Sequence, residues 1–258
     1  MNETLGHRSS GITANALHTW AMLFTVAGIA GRAIIQNAML GVSDLTGTQL
    51  LQLLESNPDA MGMLTVALVL EFIYACAAPI YAFLLVEGFT HTSNFKNYVL
   101  RMAALAVVAE IPYNLAMNGQ WLHTATRNPV FAMVLCLVML YQFSRYPEKS
   151  FNHIVIKGFV ILAAFLWVSM LRIDEGSSLL LLTAVIWAVR NRQNFRAIIC
   201  CTAAFVCTIF STYYLLAPFT FLVLHYYGGE RNPDNKLAHY MVYPVLLLAF
   251  GLVAMYAF

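Results

Sequence analysis

Charged and titratable side chains are scarce in this chain, and those inside apolar stretches are the first candidates for chemistry. Counting along helices at about 1.5 Å per residue brings His18, Glu87, His91, Arg101, His225 and His239 to one depth at one end, with Arg231 and Lys236 just beyond. Neutral imidazoles at such a depth can act as general bases or donors, and the cations Lys96, Arg101 and Arg231 around the same mouth could hold the phosphates of a cytosolic cofactor. Glu87 and Arg101 end two apolar runs joined by a short loop, so a helix-end salt bridge between them is the plain structural alternative.

Near the other end, the same count puts Arg32 at roughly 27 Å and Glu71 at roughly 25 Å, close enough in depth to pair. A clasp between the first two spans and a ligand-binding role are both open to them. Glu110 falls nearer the middle, followed by Pro112, Tyr113 and Asn114. Protonated and hydrogen-bonded it would be structural. Ionised beside a cavity it could orient a reacting group or anchor a substrate amine.

The elements that position these groups are apolar and long. With 60% hydrophobic and 10% charged residues, the 258-residue chain cannot hide its apolar surface as a water-soluble domain would. Continuous apolar runs cover residues 14–38, 61–88, 98–117, 130–143, 155–171, 179–189, 197–213, 215–227 and 237–258. None alternates as a barrel strand would, and backbone in lipid must satisfy its own hydrogen bonds, which leaves helices. The expected fold is an all-α polytopic transmembrane bundle, one domain over residues 1–258, of about nine spans. The stretch 197–227 is long for one helix and short for two, with Pro218 as a break; read as one helix it lowers the count by one.

Lys and Arg cluster at alternate run ends, among them Arg8, Arg145, Lys149, Lys157, Arg190, Arg192 and Arg196, while Arg32, Arg127 and Arg172 fall at the others. The positive-inside bias then places the amino terminus in the cytoplasm. Residues 1–10 are polar and the first run is too long for a signal-peptide core, so it should remain as a span. The net charge of +2 carries no nucleic-acid footprint. Cys76, Cys136, Cys200, Cys201 and Cys207 lie inside apolar runs without metal-ligand spacing and read as small buried hydrophobes; no metal is expected. Between the first two spans, Leu45, Leu50, Leu51, Leu53 and Leu54 with Asp44, Gln49, Gln52 and Glu55 make a short amphipathic pattern ending at Asn57-Pro58, expected to lie on the outer membrane face or to cap the bundle there.

The stretch Pro79-Ile-Tyr-Ala-Phe-Leu-Leu-Val-Glu87-Gly88-Phe89-Thr90-His91-Thr92, then Asn94, Tyr98 and Arg101, resembles the signature of the TraX family of membrane proteins, as does Glu110-Ile-Pro112-Tyr113. Asn128-Pro-Val-Phe131, Asp174-Glu175-Gly176, Tyr227-Gly-Gly229-Glu230-Arg231 and Tyr240 to Pro244 resemble its later motifs in order. The resemblance implies a bacterial inner-membrane acetyltransferase, taking acetyl from acetyl-CoA in the cytosol to a membrane-proximal acceptor such as a pilin amino terminus. It implies Glu87, His91 and Arg101 at the acyl-donor mouth and Glu110 as a carboxyl within the core.

The chain departs from the family at three places. The Asp-His pair common in the first span is absent from Thr25-Val-Ala-Gly28-Ile-Ala30, leaving His18 as the only histidine of that span. Tyr74-Ala75 replaces a Gly-Arg pair, and no histidine follows Tyr243-Pro244. Two further functions therefore stand beside acyl transfer. One is a non-catalytic relative that holds lipid or a partner membrane subunit; the other is a transporter with Arg32, Glu71 and Glu110 along its path.

Overall fold

The computed structural model describes residues 11–42, 45–146, 150–191, 196–228 and 236–256, with the side chains of 236–240 outside the description. It is helical throughout, and its two isolated backbone bridges, Ile12 to Tyr227 and Arg127 to Ile173, each fasten loops at one end. In order come α1 (Ala14–Ile29), continuing as a π-helix over Ala30–Met39, α2 (Gly47–Ser56), α3 (Pro58–Ala75), α4 (Ala77–His91), α5 (Phe95–Asn118) and α6 (Val130–Arg145). Then follow α7 (Phe151–Met170), α8 (Gly176–Val189), α9 (Arg196–Val206), 3-10 turns over Cys207–Ile209 and Thr212–Phe219, α10 (Thr220–His225) and α11 (Lys236–Tyr256). Among the described residues four stretches are long and apolar enough to cross a membrane: Ala14–Met39, Pro58–His91, Phe95–Asn118 and Phe151–Met170. Shorter apolar helices fill the space between them. This is a polytopic helical membrane bundle, as the apolar runs require.

The second run breaks where its proline demands. Pro79 has no N–H to give the carbonyl of Ala75, and α3 ends at Ala75. The Thr220 hydroxyl donates to the neighbouring Cys76 carbonyl at 3.3 Å, so polar backbone at the break is not left bare. The stretch 197–227 forms two legs, but they part at Ser211, whose backbone is extended at φ −154° and ψ 127°, rather than at Pro218. Pro218 fits inside the 3-10 segment, and its carbonyl accepts from the Cys201 thiol across the two legs at 3.4 Å. The return is sealed where Ile12 N–H donates to Tyr226 O at 2.9 Å and Gly228 N–H to Ile12 O at 3.0 Å. A Cβ on Gly11 would lie 2.4 Å from the Gly228 Cα, so only glycine fits that crossing.

The main core is built from α4, α6 and α8, with Ile80, Leu137, Leu140, Leu180, Leu182 and Ile186 fully buried among them. Helix α7 buries Ala164 and Val168 and rests Val160, Ile161 and Phe165 against the core, while Phe159, Leu162, Leu166 and Trp167 face outward, where lipid would meet them. Helix α2 forms from the amphipathic stretch, started by a capping box between Thr46 and Gln49; none of its residues is fully buried. The five cysteines are all free, three of them buried.

Candidate functional site

Polar side chains gather at both ends of the bundle. At one end, the π-helical continuation of α1 carries Arg32, which reaches α3 and the turn between α7 and α8. Its Nε and one terminal nitrogen donate to the two Glu71 oxygens at 2.9 and 3.1 Å, and its other terminal nitrogen donates to Asp174 Oδ2 at 2.8 Å. The Tyr113 hydroxyl donates to the same Asp174 oxygen at 2.6 Å. Glu71 is only 2% exposed, against 23% for Arg32 and 25% for Asp174, so the network opens to its surroundings on the Asp174 side.

Beside it stands a second network. Glu110 accepts from Arg127 at 3.0 Å, from the Asn128 side-chain amide at 2.6 Å and from the Asn128 backbone N–H at 3.2 Å. The bridge of Arg127 to the α7–α8 turn, with Asp174 N–H donating to Arg127 O at 2.9 Å, ties the two networks together. Glu110 is thus held at this end by a loop folding back on α5, and the structure does not bring it to His91. Asp174, Tyr113, Arg127 and Asn128 are members that sequence reasoning did not assign as site residues. The signal was there: the motifs beginning at Glu110, Asn128 and Asp174 meet here.

At the other end, rings lock four helix ends together. Phe89 meets Phe95 and Trp187, and Phe95 stacks on Tyr141 with centroids 4.6 Å apart. Arginines lie over neighbouring rings: Arg145 over Tyr141, Arg190 over Trp187 at 3.5 Å and Arg196 over Phe83. His91 closes α4, its Nδ1 at 3.0 Å from the Glu87 carbonyl and 3.5 Å from Glu87 Oε1. Tyr227 bonds Glu87 as well, at 3.4 Å, so the returning chain end braces the same carboxyl.

Arg101 is exposed and bonds the Asn97 carbonyl of its own helix. Among the described residues no ion pair joins it to Glu87. Lys96 is exposed on the first turn of α5. His18 is half-buried on α1, and His225 is exposed beside Tyr226. Arg231 and the side chain of His239 lie outside the described residues. No group of three His, Cys, Asp or Glu among the described residues could hold a metal ion.

A long, mostly apolar helical bundle with polar networks at its ends defines an integral membrane protein. The profile of the family described as TraX protein matches residues 63–254, three quarters of the chain, and the chain belongs to that family. No curated protein and no solved structure matches it.

Two departures from the family's motifs meet in space. A Cβ placed on Gly28, within the stretch that lacks the Asp-His pair, would lie 2.5 Å from Cβ and Cγ of Tyr74. The tyrosine ring thus fills the space that a side chain at 28 would need. Gly28→Ala is expected to lose about 1–3 kcal/mol of stability by overpacking. The loss should shrink in the Tyr74→Ala background, measured by thermal unfolding in detergent; equal losses in both backgrounds would refute the contact.

Proposed function

We propose that this chain is a membrane acetyltransferase, moving acetyl from acetyl-CoA to an amine at the membrane, such as a pilin amino terminus. The observation that carries the proposal is the Glu87–His91 pair at the arginine-rich end. Glu87 engages Nδ1 of His91 through its carbonyl and carboxylate. Such a contact orients the ring and leaves Nε2 to take a proton. In the reaction the acceptor nitrogen attacks the thioester carbonyl and gives its proton to Nε2. The thiolate then departs, and Arg101 and Lys96 supply positive charge for the coenzyme's phosphates. Positive-inside bias supports an orientation with this end, and the amino terminus, facing the cytoplasm, and the family resemblance supports a bacterial inner-membrane location.

The Gly28–Tyr74 packing favours a second reading, a non-catalytic relative that binds lipid or a membrane partner subunit. Titration calorimetry of acetyl-CoA into detergent-purified protein separates the two. Saturable binding, weakened at least tenfold in Arg101→Ala, supports the transferase, each tenfold being about 1.4 kcal/mol. Absence of binding supports the second reading.

A further inference from the structure

The network at the Arg32 end holds more negative charge than its one guanidinium can neutralise. All three Arg32 nitrogens are engaged, two with Glu71 and one with Asp174. A third carboxyl, Glu175, lies next to Asp174 and bonds to none of them. Its Oε2 is shielded from solvent without a hydrogen bond of ordinary geometry, and so is the hydroxyl of the fully buried Tyr214 beside it. The Tyr214 hydroxyl can donate to this carboxyl, but Arg32 is already taken up by Glu71 and Asp174, so an ionised Glu175 would stand buried beside Asp174 with no cation bonded to it among the described residues.

We infer that the turn between α7 and α8 is a proton-operated latch, in which Glu175 carries a proton while the network is closed and loosens the turn on losing it. The turn is suited to two states. Both Arg172 (φ +51°) and Glu175 (φ +55°) occupy the left-handed region that side chains other than glycine rarely adopt. Contacts on either side hold it there: Asp174 to Arg32 and Tyr113, and Arg127 to the backbone of Arg172 and Asp174. An ionised Glu175 would repel Asp174 within that frame.

The groups facing Glu175 come from every element around it. Glu71 and Tyr74 lie on α3, Arg32 on the π-helix, and Tyr213 and Tyr214 on the 3-10 segment. Cys207 faces it from the preceding turn. Burial first and the Asp174 charge second push the Glu175 carboxyl up to about 7, against the pull of Arg32. The start of α8 also favours a negative charge, and burial outweighs it. Because the folded value is raised, the stabilisation is complete below the ordinary carboxylate value and disappears as pH rises through about 7. By the charge bias this end faces outward, so the latch would sense external pH.

The test compares thermal unfolding of the full chain in detergent at about pH 5 and about pH 8 with that of Glu175→Gln. The parent protein should lose several degrees more than the variant across that interval; parallel losses would overturn the latch. Should the variant fail to fold, dicyclohexylcarbodiimide labelling of the parent protein, mapped by mass spectrometry, reads the proton directly. Labelling at Glu175 that declines above about pH 7 supports the inference, since the reagent attacks protonated carboxyls. Labelling confined to Asp174 or Glu71, or independent of pH, overturns it.

Discussion

Arg32→Met is expected to destabilise the bundle by about 3–5 kcal/mol, because it strands a buried carboxylate without its cation. Glu71, 2% exposed, receives two of the Arg32 bonds, and among the described residues no other cation pairs with it. Glu71→Gln should cost less, since Arg32 keeps Asp174. The double variant Arg32→Met/Glu71→Gln should be more stable than Arg32→Met alone, because the stranded charge has gone with its partner. An exchange of Arg32 for Glu with Glu71 for Arg should recover little. The new glutamate would face Asp174, which already bonds both Arg32 and Tyr113. Denaturant or thermal unfolding in detergent reads all four. Loss in Arg32→Met of the size expected for an exposed pair, under about 1 kcal/mol, would show that the network is solvated.

The largest effect on activity is expected at His91. His91→Ala should reduce acetyl transfer by about 10²–10⁴-fold, the usual worth of a positioned general base, while leaving the melting temperature unchanged. The ring is more than half exposed and, among the described residues, bonds within its own turn, so its loss removes little packing. Glu87→Gln keeps the backbone contact and should give a smaller loss in turnover. A His91→Ala protein with unaltered transfer would place the base elsewhere, with half-buried His18 next in line.

Much of this architecture was legible in the apolar runs, because backbone in lipid must satisfy its own hydrogen bonds and so forms helices. Depth alone makes an Arg32–Glu71 pair possible, since both residues lie on spans whose starts are marked, and the structure forms it. Asp174 escaped that method. It sits in a turn, where counting along one helix says nothing about which neighbour's charge it meets. Glu110 was placed by depth along α5, but its partners Arg127 and Asn128 come from a loop that folds back toward it. Glu87 and Arg101 share a depth yet differ in helical phase, and Arg101 turns outward to bond its own helix. The break within 197–227 was assigned to Pro218, although a 3-10 turn accepts proline; the reversal falls at Ser211, with no charge or glycine to mark it.

The two polar ends have different constructions. At the Arg32 end the charges are paired across helices and hold the loops together, as expected of a structural frame with one carboxyl in excess. At the other end the arginines lie over aromatic rings and the Glu87–His91 pair closes a helix, which leaves charge and a base facing outward.

Sided proteoliposomes test that division most directly. With the protein in one orientation and a synthetic apolar peptide bearing a free amino terminus as acceptor, labelled acetyl-CoA is supplied on one face at a time. The account predicts acetylated peptide when the donor meets the arginine-rich face, none when it meets the Arg32 face, and loss of the product in His91→Ala. Equal transfer from both faces, or transfer only from the Arg32 face, would contradict it.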